Sequence, residues 1–105
     1  MLTEPSKGWS ALGDPTRLAI VARLAERPCA VGELAAVLPV SRPAVSQALK
    51  VLKDAGLVSE CAVGTRRIYQ LNAAAVGALR DQLDSYWNQA LTVYRDVVEH
   101  PQENP

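Results

Sequence analysis

The 105-residue sequence has no phenylalanine, one histidine, one methionine and two cysteines, and its formal net charge is zero. With one histidine, no glycine-rich phosphate loop and no clustered carboxylates, no catalytic set can be assembled, so an enzyme is not expected. Cys29 and Cys61 are far apart in the chain and lack Cys-x-x-Cys spacing. The expectation is therefore two buried small hydrophobes rather than a redox pair. No apolar run approaches the ~20 residues that a membrane span requires. The N-terminal residues do not follow a secretory pattern. These absences lead to the expectation of a cytoplasmic chain with no membrane partner and no cofactor. The length suits one domain, read as residues 1–105, that folds without metal or disulfide.

The zero net charge hides an uneven distribution. Residues 41–72 carry five basic and two acidic side chains, a local charge of +3, whereas residues 73–105 carry two basic and five acidic. A basic centre is the local electrostatic footprint that nucleic-acid binding needs, whatever the total.

After a polar leader over residues 1–7, a short amphipathic helix is expected around Pro5 to Leu12. Asp14-Pro15 is a strong start signal, a side-chain acceptor followed by a proline at the first helical position. The helix that it opens should point Leu18, Val21, Leu24 and Ala25 inward and end near Arg27-Pro28. Cys29 to Val31 suggests a brief strand. Gly32 to Leu38 suggests a short helix, with Leu34, Val37 and Leu38 inward and Pro39 as its stop. Pro39-Val40 leaves room only for a turn before Ser41 caps the next helix. Two helices so closely joined form a helix-turn-helix over residues 31–55.

The helix after Ser41 has two chemically opposite sides. At about 100° per residue, Val45, Leu49 and Leu52 point one way, flanked by Ala44, Ala48, Val51 and Ala55. Arg42, Ser46, Gln47, Lys50, Lys53 and Asp54 occupy the other side. Guanidinium, amide, hydroxyl and ammonium groups on one face suit base edges and phosphates in a major groove. Gly56 is the expected left-handed residue ending the helix.

Leu57 to Ala62 and Arg66 to Leu71 read as two strands around Val63-Gly64-Thr65, a basic hairpin or wing over residues 57–71. Arg67, Tyr69 and Leu71 should share one face, and Arg66, Ile68 and Gln70 the other. If Cys29 pairs beside the second hairpin strand and Cys61 lies on the first, they stand two strand spacings apart, too far for a disulfide. Asn72 should cap a last helix over 73–100. There Val76, Leu79, Leu83, Tyr86, Ala90, Val93 and Val97 follow heptad spacing, widened by Trp87, Leu91, Tyr94 and Val98. So much apolar surface exceeds what a small core covers, and it reads as a symmetric dimer seam.

With these elements in place, the chain resembles the ArsR/SmtB family of bacterial winged-helix repressors. The resemblance is carried by Leu12-Gly13-Asp14-Pro15-Thr16-Arg17, by Val31-Gly32-Glu33-Leu34-Ala35 and by the run from Val40 to Leu52. It continues through Ala55-Gly56-Leu57-Val58 and Gly64-Thr65-Arg66-Arg67-Ile68-Tyr69-Gln70-Leu71, and covers residues 9 to 100. It implies a mainly α, α+β winged helix-turn-helix that dimerises through its first and last helices and binds double-stranded operator DNA as an inverted repeat. Family members sense metals, redox state or small molecules, so a small-molecule inducer of unknown identity is implied. Metal-sensing members carry a Cys-x-Cys pair where this chain has Ala30 and Gly32, or His-rich positions on the last helix. Here that helix has Asp81 and Asp84, with His100 as the chain's lone histidine, and a lone cysteine and a lone terminal histidine cannot build a four-ligand zinc site. No metal site is expected.

The expected DNA-facing set is Ser41, Arg42, Pro43, Ser46, Gln47, Lys50 and Lys53 on the helix, Gly64, Thr65, Arg66 and Arg67 on the wing, and Arg17. Arg42 and Gln47 are the expected base readers, since guanidinium pairs bidentately with guanine and amide with adenine. The expected dimer interface comprises Trp9, Leu12, Leu79, Leu83, Tyr86, Trp87, Ala90, Leu91 and Tyr94. A winged helix serving protein–protein contact is the competing reading, distinguished by whether operator DNA binds with steep salt dependence.

Overall fold

Capping chemistry sets most of the element boundaries in the computed structural model, which describes residues 5–100. Helix α1 spans Pro5–Ala11 and α2 spans Pro15–Glu26. The Asp14 carboxylate accepts the Arg17 amide proton at 3.0 Å, satisfying one otherwise unpaired donor at the start of α2. Strand β1 is Cys29–Ala30, α3 is Val31–Val37 and α4 is Arg42–Asp54. The Ser41 hydroxyl accepts from the Ala44 amide at 3.2 Å, with Pro43 in the first turn. Gly56 closes α4 at φ 80°, a left-handed conformation that only glycine adopts without strain. Strands β2 (Val58–Val63) and β3 (Arg66–Leu71) form the hairpin, and Gly64 at φ 64° turns its tip. Helix α5 spans Ala73–Glu99, capped by the Asn72 side chain on the Ala75 amide.

The three strands form one antiparallel sheet in the order β1-β3-β2. Cys29 pairs with Tyr69 and Cys61 with Ile68, so β3 separates the two free thiols by two strand spacings, about 9–10 Å. This is the strand order inferred from the sequence. The inferred burial holds only for Cys29, because Cys61 lies on the exposed outer strand.

One small core joins all the elements except the outer part of α5. Ile20, Leu34, Val45, Leu49, Leu52 and Leu57 are its fully buried members. The inward side of α4 is as its spacing implied, with Val45, Ala48, Leu49, Leu52 and Ala55 buried, except that the flanking Val51 is exposed.

Two other helices differ from expectation. In α2 the buried residues are Ile20 and Leu24, while Leu18 is 53% exposed and Ala25 is also exposed. The helix is rotated so that Ile20 enters the core and Val21 is left half-buried beside it. Both stripes have helical spacing, and the position of α4 decides between them. In α3 only Leu34 is fully buried and Val37 faces outward, because a two-turn helix lodged between β1 and α4 has room for one deep anchor.

Replacing Ile20 with Ala is expected to lower unfolding free energy by about 2–5 kcal/mol, and Leu18→Ala to leave it within about 0.5 kcal/mol. Denaturant midpoints of the two variants check this assignment.

Candidate nucleic-acid interface

The burial of Val45, Leu49 and Leu52 turns the opposite side of α4 to solvent. Ser41, Arg42, Pro43, Ser46, Gln47, Lys50 and Lys53 are all exposed, as their positions on the helix implied. Arg42 and Lys50 make no ion pair among the described residues.

The hairpin brings a second basic group to the same end of the molecule. Ala30, Val31 and Gly32 at the start of α3 line a cleft of about 400 Å³ with Arg42, Thr65, Arg66, Arg67 and Tyr69. A Cβ at position 32 would lie 3.6 Å from an Arg42 guanidinium nitrogen, so this side chain lies close over the α3 backbone. Three arginines and two hydroxyl-bearing residues, Thr65 and Tyr69, therefore line the cleft where α4 and the hairpin meet.

Arg17 is placed differently from the rest of the expected set. It is half-buried, and its Nε donates to the Ala11 carbonyl at 2.6 Å, tying α1 to the start of α2. It also lines a shallow groove between α2 and α4 with Asp14, Thr16, Ala44 and Gln47. The structure thus gives Arg17 a structural bond and leaves it beside a residue of the recognition face.

Two carboxylates that sequence reasoning missed organise the basic groups. Glu60 of β2 bonds Lys53 of α4 and lies 3.2 Å from Nη1 of Arg67. The Lys53 ammonium, then the Tyr69 hydroxyl and the Arg67 guanidinium, hold the Glu60 carboxyl down at about 2. Burial, with a smaller contribution from Glu60, raises the Tyr69 phenol. Glu33 of α3 accepts the Ala30 amide proton at 3.0 Å and the Arg66 guanidinium at 2.9 Å, with Arg27 at 3.5 Å. The Ala30 amide is the main cause of its lowered carboxyl pKa, helped by Arg66 and Arg27. Only the Glu33 cap had a local signal, an acidic side chain three residues after the start position. The Glu60 contacts join residues seven apart in either direction through tertiary placement alone.

The expected dimer seam divides into two parts. Leu79 is buried within its own chain, with Gly8 of α1 packed against its methyl groups. Leu12 is half-buried against the same core. Beyond this docked end, Leu83, Tyr86, Trp87, Ala90 and Tyr94 are exposed, Trp87 at 64%, and Leu91 is half-buried. Val93, Val97 and Val98 extend the exposed apolar surface. Trp9 bridges the two parts, its indole N–H donating to Gln82, which in turn donates to the Tyr86 hydroxyl at 3.1 Å.

Among the described residues no three His, Cys, Asp or Glu side chains are grouped to hold a metal ion, and no helix is long and apolar enough to cross a membrane.

Comparison with known proteins gives this geometry its context. The family model for bacterial regulatory proteins of the arsR family matches residues 14–60, from the α2 cap into β2. HTH-type transcriptional regulator Rv2034 of Mycobacterium tuberculosis is 58% identical over 95 residues, covering 90% of this chain and 89% of that protein. A transcriptional repressor SmtB homolog of Synechocystis is 36% identical over 91% of this chain and 62% of its own length. An ArsR-like transcriptional regulator from Rhodococcus superposes with a TM-score of 0.73 at 27% identity, covering 89% of this chain and 91% of that structure. Agreement at this level along nearly the whole chain, through the helix that faces solvent with its polar side, establishes that this protein belongs to the ArsR family of winged helix-turn-helix DNA-binding transcriptional regulators.

Proposed function

We propose that this ArsR-family regulator is a cytoplasmic homodimeric repressor that binds an inverted-repeat operator, with one α4 entering the major groove of each half-site. The observation that carries this reading is the solvent-facing side of α4, where Arg42 and Gln47 stand exposed above a rigidly buried stripe. In this reading Arg42 and Gln47 read base edges, while Ser41, Ser46, Lys50, Lys53 and Arg17 hold phosphates. Pro43 fixes the first turn. Gly64 and Thr65 bring the tip of the wing, with Arg66 and Arg67, against the DNA backbone. Repression is supported by the likeness to the Synechocystis protein, a transcriptional repressor SmtB homolog.

Dimerisation is supported by the apolar side of α5. At 1.5 Å per residue its 27 residues are about 40 Å long. Only Ala75 and Leu79, near its start, are buried in the protomer. The outer part, with Leu83, Tyr86, Trp87, Ala90, Leu91 and Tyr94, is of the kind that a second copy covers in an isologous contact. Two recognition helices held about 34 Å apart would then meet successive major grooves. The inducer is read as something other than a metal, since Ala30 and Gly32 occupy the positions where metal-sensing relatives have thiols.

The test begins with selection of bound duplexes from a random pool by the full chain, followed by retardation assays on the recovered sequence. An inverted repeat with half-sites about one turn apart is expected, and recovery of no preferred sequence would overturn the reading.

Replacing Gln47 with Ala should weaken binding to the selected duplex by about 1–3 kcal/mol and to random duplex far less. Equal losses on both would remove Gln47 from base reading. Changing Arg66 and Arg67 together to Ala should reduce the slope of log affinity against log salt by about 1–2; an unchanged slope removes the wing from the interface. Trp87→Asp or Leu83→Asp should yield folded monomers by sedimentation without operator binding, because both side chains are exposed in the protomer. Dimer mass retained in both variants would place the seam elsewhere.

A further inference from the structure

Five cations belong to the proposed DNA-facing part of residues 41–72, and the structure divides them unequally. Lys53 and Arg67 share the Glu60 carboxylate, and Arg66 is paired with Glu33. Arg42 and Lys50, on the exposed side of α4, have no such partner among the described residues. Among the described residues, the cations without counter-ions are thus the two that the proposed reading brings to the groove, while those at the wing and at the far end of α4 are already partly neutralised.

The two carboxylates are fixed in place. The Glu60 side chain is only 16% exposed and stands opposite Tyr69 in the hairpin register, with the Cys61–Ile68 pair between it and the Ala62–Arg67 pair. Glu33 is anchored by the Ala30 amide at the start of α3. Arg66 and Arg67 remain more than half exposed, so each keeps donors for a phosphate while being held from behind.

We propose that Glu33 and Glu60 are specificity-determining counter-ions: by neutralising and orienting Arg66, Arg67 and Lys53 they suppress binding to random DNA, so that affinity depends on the contacts of Arg42 and Gln47. The physical basis is counterion release. Sequence-independent affinity scales with the number of phosphates that the protein's cations neutralise. A cation sharing its charge with a fixed carboxylate contributes less to that term on every sequence, whereas base contacts are unaffected. The arrangement is not a pH switch. Glu60, held at about 2, is ionised at any pH where DNA binding is measured, and in the folded protein it loses its charge only when the pH falls to about 2.

This inference rests on the proposed DNA-binding reading, and Glu60→Gln and Glu33→Gln test it separately from that reading. Each variant is titrated with the selected duplex and with a random-sequence duplex over a range of salt. Glu26→Gln serves as the control, since it raises net charge equally but loses only an exposed contact with Arg23 at 3.7 Å. Glu60→Gln is expected to bind random duplex about three- to tenfold more tightly at low salt and to steepen the salt slope by about one. The ratio of selected to random affinity should fall, and the control should change neither quantity comparably. In a Lys53→Ala/Arg67→Ala background the effect of Glu60→Gln should disappear. Glutamine at position 33 retains an acceptor for the Ala30 amide, so Glu33→Gln supplies the same test through Arg66 if Glu60→Gln fails to fold. Folded variants whose random-duplex affinity is unchanged or weaker, or no different from the control, overturn the counter-ion role while leaving the DNA-binding reading intact. A wild-type chain that binds neither duplex overturns both.

Discussion

Burial of the Val45–Leu49–Leu52 stripe is the constraint on which the other parts of the site depend. These three side chains are fully enclosed by residues from α2, α3 and the hairpin base, and each contributes about 1.5–3 kcal/mol by leaving water. Once they are inside, the helical period leaves the polar side no direction but outward. Ser41 and Gly56 set where the helix begins and ends, so the rotation and length of the exposed face are both defined. The exposed polar face of α4 is thus a by-product of core packing. It is rigid for the same reason that the core is, which suits the base-reading role proposed for it.

The wing has a different origin. Its backbone is built by a glycine-turned hairpin whose base is packed into the core, and two carboxylates tie its basic side chains to the neighbouring helices. Glu60 links β2, β3 and the end of α4, and Glu33 links the end of α2, the start of α3 and the tip of β3. Ion pairs whose cations stay largely in solvent, as these do, contribute little to stability individually. Their influence is on where the cations point and how much of their field reaches solvent. A regulator must pick a few sites from a genome of competing duplex, and a basic surface without internal restraint would favour the competitors.

The two ends of the molecule also divide the use of apolar surface. The first turns of α5 pack under α1, with Leu79 against Gly8, and complete the protomer's core. The remaining turns present aromatic and branched side chains to solvent. The Trp9–Gln82–Tyr86 chain of hydrogen bonds lies at the boundary between these parts and fixes α1 to α5 where the internal contact gives way to the exposed surface.

Local features of the sequence were enough for the elements and much of the site. Asp14-Pro15, Ser41, Gly56, Gly64 and Asn72 each act through their own backbone neighbourhood, so the helix starts and ends, the hairpin and the two-sided character of α4 were legible. The strand order was legible once the short strand at Cys29 was placed beside the second strand of the hairpin, which set the two cysteines apart. Other properties depend on which elements meet. Leu18 and Ile20 lie on alternative helical stripes, and only the docking of α2 on α4 selects Ile20. Val37 and Cys61 were misjudged because their burial depends on the neighbour that faces them, or its absence. Glu33 and Glu60 find their cations across strands and helices distant in sequence. The sequence by itself determined the elements, their caps and the chemistry of each face, because those depend on neighbours a few residues away. Tertiary structure decided the inward side of α2, the division of α5 and the counter-ions of the wing, because burial and ion pairing depend on distances in space that no local spacing encodes.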